Sequence, residues 1–65
     1  MVENRIKAYR EALGWSQEQL ARKSGVSRSA VSEAESGAHV PTLEAALRLS
    51  EALGVSMDKL FILVK

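Results

Sequence analysis

The side chains of this sequence are equipped for hydrogen bonding rather than for breaking bonds. Its 65 residues include no Cys and a single His, His39. There is no thiolate nucleophile, no disulfide and no thiolate metal site, and one imidazole cannot assemble a metal centre. No paired carboxylates mark a cleft and no Gly-rich loop is present to cradle a phosphate, so neither an enzyme nor a cofactor is expected. The patterned residues are Gly and Ser. Gly-apolar-Ser occurs three times, as Gly14-Trp15-Ser16, Gly25-Val26-Ser27 and Gly54-Val55-Ser56. Gly takes the left-handed position that ends one helix. Ser accepts from the free N–H groups that open the next.

These punctuation marks divide the chain into five helices. The first is expected over Val2 to Leu13, where Ile6, Tyr9 or Arg10, and Leu13 fall at helical spacing. Ser16 caps the second, Gln17 to Ser24, and Gln19 three residues later completes a capping box. Trp15 and Leu20 can clasp across that cap, as can Val26 and Val31 across Ser27. The third helix begins after the Ser27 cap and runs to about Ser36, with Val31 and Ala34 inward, and stops at Gly37. After the loop Ala38-His39-Val40-Pro41, Thr42 caps a fourth helix reaching Leu53. Its expected core stripe is Leu43, Ala46, Leu47, Ser50 and Leu53, with Leu49 and Ala52 outside it. Glu44 and Arg48 stand in the favourable i,i+4 order. Ser56 caps a last short helix.

The size allows one domain with a limited core. No apolar run approaches the length of a membrane span. Glu3, Arg5, Lys7 and Arg10 interrupt any signal-like stretch, so cytoplasmic residence is expected. The net charge of +1 hides an asymmetry. Residues 1–31 hold six basic side chains against Glu3, Glu11 and Glu18, whereas residues 32–65 hold Arg48, Lys59 and Lys65 against five acidic ones. A mildly basic half suits an anionic partner. The sequence then ends in Leu60-Phe61-Ile62-Leu63-Val64 before Lys65. Leu60 and Phe61 can close the core. Ile62, Leu63 and Val64 need a cover, supplied either by a symmetry mate or by folding back on their own domain.

The middle triplet leaves only a tight turn between helices two and three, which is the layout of a helix-turn-helix. Two helices crossing steeply over such a turn bring their backbones close. Ala21 at the crossing and Gly25 four residues on keep that space clear. At this point the stretch Ile6 to Phe61 resembles the DNA-binding domain of lambda-repressor and Cro-type (XRE-like) regulators. The resemblance rests on Arg10, Leu13, Trp15-Ser16-Gln17-Glu18-Gln19-Leu20-Ala21, Gly25-Val26-Ser27-Arg28, Val31-Ser32, Glu35-Ser36-Gly37, Pro41-Thr42-Leu43 and Leu53-Gly54-Val55-Ser56, in that order and without gaps.

That resemblance implies an all-α, five-helix fold over residues 1–65, with core 6–61, helix-turn-helix 17–36 and an apolar tail at 62–65; a short C-terminal strand is compatible with the tail. It implies that helix three enters the major groove and that Ser27, Arg28, Ser29, Ser32 and Glu33 face DNA. Arg28 suits O6 and N7 of guanine, and Glu33 suits cytosine N4. Gln17, at the start of helix two, would meet a phosphate. Arg10 and Glu35 would pair structurally between helices one and three, leaving Arg10 unavailable to DNA. His39 is read as an ordinary loop residue. The loop after helix three lacks the Lys or Arg that often contacts phosphate in the family, so one domain should bind weakly. A homodimer on a pseudo-palindromic operator would recover affinity. Its expected interface is Ile62, Leu63 and Val64, with Leu49, Ala52 and Met57 nearby. The expected role is a transcriptional regulator of double-stranded DNA, acting as a repressor by occupancy. The alternatives are an antitoxin, a restriction-modification controller, or a protein-interaction module that has lost DNA.

Overall fold

The computed structural model describes residues 1–65. The elements are β1 (Val2–Asn4), α1 (Ile6–Ala12), α2 (Gln17–Ser24), α3 (Arg28–Ser36), α4 (Leu43–Leu53), α5 (Met57–Leu60) and β2 (Phe61–Leu63). The middle helices start where their caps require. Ser16 Oγ accepts from Gln19 N at 3.1 Å while Gln19 Oε1 accepts from Ser16 N at 2.7 Å, a complete capping box. Ser27 Oγ accepts from Ala30 N at 3.2 Å, and Thr42 Oγ1 accepts from Ala45 N at 3.1 Å. Ser56 departs from this pattern. It has the extended backbone of a cap but makes no capping bond. Its side chain instead holds the nearby Asp58 carboxyl below the usual carboxylate range.

Between α2 and α3 the chain turns at Gly25, with φ at 76°. A residue with a Cβ would be strained there, and the Cβ would lie 3.1 Å from Arg48 Nη1. Ser24 locks the same turn from inside. Its hydroxyl donates to Leu20 O at 2.7 Å and accepts from Val26 N at 3.2 Å. The core around this turn is Ile6, Leu20, Val31, Leu49 and Leu60, all fully buried, joined by Val26, Ala34 and Leu53.

Two expectations are corrected, and one of two open alternatives is observed. Residues 2–4 form a strand rather than the first turn of α1. Asn4 ends that strand: its Oδ1 accepts from Ile6 N at 3.1 Å and its Nδ2 donates to Ala34 O at 2.7 Å. The apolar tail folds back within its own chain. β2 pairs antiparallel with β1 in the register Val2↔Leu63, Glu3↔Ile62 and Asn4↔Phe61. Arg5 N to Leu60 O at 2.9 Å and Val64 N to Met1 O at 2.8 Å extend the ladder at either end. The fold is thus five helices plus a two-stranded ribbon.

The second correction concerns α4. Its buried residues are Ala46, Leu49 and Leu53, with Ala45 and Ala52 packed alongside, while Leu43 and Leu47 face outward. Two overlapping stripes both satisfy helical spacing, and contact with α2 and α5 selects the one centred on Leu49. Leu49 is therefore core and cannot belong to a dimer interface. Leu13, placed on the α1 stripe by its spacing, is also exposed, because α1 ends at Ala12.

Candidate DNA-reading interface

The position of α3 is fixed from behind by a charged knot. Arg10 reaches Glu35 with two hydrogen bonds, Nε to Oε2 at 2.7 Å and Nη2 to Oε1 at 2.9 Å. Arg10 Nη1 also donates to Trp15 O at 2.8 Å. Gln17 Nε2 donates to Glu35 Oε1 at 3.2 Å. One carboxylate thereby collects donors from α1 and α2 while standing on α3. The Arg10 and Glu35 side chains are only 10% and 4% exposed, so neither charge is satisfied by bulk water. The Glu35 hydrogen bond raises the Arg10 pKa above its ordinary value and outweighs the opposing effect of burial. A bidentate pair of this kind fixes direction as well as distance.

With Val31 and Ala34 in the core, the opposite edge of α3 faces solvent. Arg28, Ser29, Ser32 and Glu33 are all exposed, as is the cap Ser27. Arg28 makes no ion pair, in contrast to Arg10 and Arg48. Its guanidinium is free to present two parallel donors to an acceptor pair. Ser27 and Ser29 share a contact between their Oγ atoms at 3.4 Å. Gln17 is half-buried because its amide is drawn toward Glu35. It stands in the first turn of α2, beside N–H groups not used inside the helix, where partial positive charge gathers. A groove of about 440 Å³ separates α3 from the start of α4, with Ser29, Glu33, His39 and Thr42 among its lining residues.

The residues named for the tail are dispersed by burial. Leu49 is in the core, Ala52, Met57 and Ile62 are half-buried, and Leu63 and Val64 are exposed on the ribbon. Two contacts went unread in the sequence, Gln17–Glu35 and His39–Glu33. The latter places His39 Nε2 at 3.1 Å from Glu33 Oε2, which gives the loop histidine a partner on α3. Both pairs span a helix boundary, so no fixed periodicity announces them.

A short helix anchored over a tight glycine turn, with its polar leading edge turned to solvent, defines the helix-turn-helix class of DNA-binding domain. The helix-turn-helix family model HTH_3 matches residues 6–60, and the chain belongs to that family. It is 37% identical over 60 residues to the uncharacterized HTH-type transcriptional regulator YgzD of Bacillus subtilis, covering 92% of this chain and 91% of that one. Among solved structures it is similar to the restriction-modification controller protein C.AhdI from Aeromonas hydrophila. That likeness has a TM-score of 0.80 and 38% identity, over 85% of this chain and 83% of the other. The N-terminal DNA-binding domain of SinR from Bacillus subtilis superposes with a TM-score of 0.77 and 37% identity, over 82% of this chain and 78% of that one. The protein is a helix-turn-helix DNA-binding domain of the transcriptional-regulator type.

Proposed function

We propose that this protein is a sequence-specific regulator that inserts α3 into the major groove of double-stranded DNA as a homodimer and represses by occupying a promoter. The observation that carries the reading is the contrast between the two sides of α3. One side is locked by the core and by the Arg10–Glu35–Gln17 knot, and the other presents unpaired Arg28 with Ser29, Ser32 and Glu33. Arg28 reads guanine through O6 and N7. Ser27, Ser29 and Ser32 serve phosphates or bridging water, and Gln17 with the α2 N-terminus holds a backbone phosphate. The contacts from α2 set register, whereas those from α3 set sequence preference.

Dimerisation follows from two considerations. On α3, the unpaired Arg28 is opposed by Glu33, so one domain neutralises few phosphates and binds weakly alone. The ribbon leaves Leu63 and Val64 exposed at 66% and 38%. These two, together with Ile62, Met57 and Ala52, form the interface in this reading. Two such domains would place their reading helices about one helical turn apart, roughly 34 Å. The 32 Å long axis of one domain is of the same scale. The likeness to C.AhdI favours a restriction-modification controller as the second reading, and the two share the same DNA surface.

Selection of bound duplexes from a random pool tests this function. A two-fold consensus with half-sites about ten base pairs apart, roughly one turn of B-DNA, is expected. Recovery of no consensus, together with no affinity for any duplex at low salt, would refute DNA recognition and favour a protein-interaction module.

A further inference from the structure

We propose that a second copy of this chain seats on the outward edge of α4, around Leu43 and Leu47, so that the two copies pack α4 against α4 across a two-fold axis. The inference rests on the homodimer reading and extends its interface from the ribbon along this helix. Leu43 and Leu47 belong to the second apolar stripe that helical spacing allows on α4, the one the core leaves uncovered. They stand at 71% and 51% exposure. Beside them on the same edge lie Ala46, which is buried, and Ser50, which is half-buried. Residues 43, 46, 47 and 50 stand at i, i+3, i+4 and i+7, the four corners of a hole that receives a side chain from a facing helix. Two of those corners are small, which lets a facing backbone come close. Glu44, Arg48 and Glu51 form the adjoining face, a polar rim beside an apolar centre. Within that rim, Arg48 Nε already donates to Glu44 Oε2 at 3.0 Å.

The stripe joins the apolar edge of the ribbon. Val40 and Pro41, just before α4, form one wall of a narrow groove, and Val2 and Phe61 of the ribbon form the other. Val2 pairs with Leu63 in the ribbon, and residues paired across two strands share a face. Exposed apolar side chains thus follow one another from Leu63 through Val2 and Val40 to Leu43 and Leu47.

Area and shape together identify the occupant. A stable interface takes about 800 Å² from each partner. That is about one fifth of the 4334 Å² this chain exposes. Leu63 and Val64 are only two side chains and fall short of it, and the α4 stripe makes up the difference. The stripe is also complementary to itself, because leucines and small-residue gaps alternate along it. In a two-fold contact each copy offers the same patch, so the leucines of one enter the gaps of the other. With the axis passing between Ala46 and Leu47, the two Leu47 side chains lie beside it.

The test combines sedimentation velocity with disulfide mapping on the full chain, which has no Cys of its own. Wild type and Leu47→Glu are compared in the centrifuge, with circular dichroism to verify that both are folded. Leu47→Cys is oxidised beside Leu13→Cys, a collision control whose parent residue is similarly exposed, at 48%, and belongs to neither α4 nor the ribbon. Wild type should be a dimer, and Leu47→Glu should dimerise roughly 100-fold more weakly, because it sets two carboxylates beside the axis. Leu47→Cys should form a covalent dimer much faster than Leu13→Cys. A dimer that persists undiminished in Leu47→Glu, with Leu47→Cys no faster than the control, would overturn the α4 contact while leaving a ribbon-mediated homodimer standing. A wild type that stays monomeric at every concentration would instead overturn the homodimer reading, and this inference with it.

Discussion

At the scale of single residues, Glu35 anchors α3 from behind, its side chain only 4% exposed. It accepts from Arg10 and Gln17 together, so its removal leaves a guanidinium buried without its partner and frees the Gln17 amide. Glu35→Ala should destabilise the fold by about 3–5 kcal/mol, measured by urea denaturation, because an uncompensated buried charge remains. Replacing Arg10 and Glu35 together by apolar residues of similar volume should cost much less, since no orphaned charge is then left. A double variant as unstable as the single one would show that the knot acts through something other than charge compensation. The Arg10–Glu35 pair was legible from the resemblance. The participation of Gln17 was not, because its own position suggested only a phosphate contact.

At the scale of elements, the boundaries set by local chemistry were the readable ones. Ser16, Ser27 and Thr42 cap their helices within three residues, and Gly25 turns the chain using only its own backbone. What the sequence left open depended on distant partners. Val2–Asn4 became a strand because Phe61–Leu63 lies beside it, nearly the whole chain length away. The α4 stripe was ambiguous for the same reason, since residues 43, 47 and 50 satisfy helical spacing as well as 45, 49 and 52. The last helix offers a test of a local bond. Asp58 has its pKa lowered in the folded state chiefly by the Ser56 side chain. A depressed carboxylate contributes stability above its unfolded value of 3.8, and that contribution fades as pH falls through the lower folded value. Asp58→Asn should therefore unfold at a lower temperature than wild type at pH 7, and the gap should close below pH 3.8. A gap that persisted in acid would mean that the Ser56 contact does not stabilise α5 through the carboxylate charge.

At the scale of the whole molecule, the ribbon ties the two ends of the chain and leaves an apolar edge. Deleting residues 62–65 removes both functions. Sedimentation velocity should show a dimer for the full chain and a monomer for the truncated one; monomers in both cases would end the dimer proposal and leave Leu63 and Val64 as exposed ribbon residues. Independent of oligomeric state, the proposed DNA recognition depends on the orientation of α3. The most direct test pairs a selected operator with all single base-pair changes and measures binding of wild type and Arg28→Ala. Loss of about 1–3 kcal/mol on the operator, with base preference relaxed at one position per half-site and retained elsewhere, is the expected result. Unchanged affinity together with unchanged preference at every position would contradict the placement of α3 in the major groove.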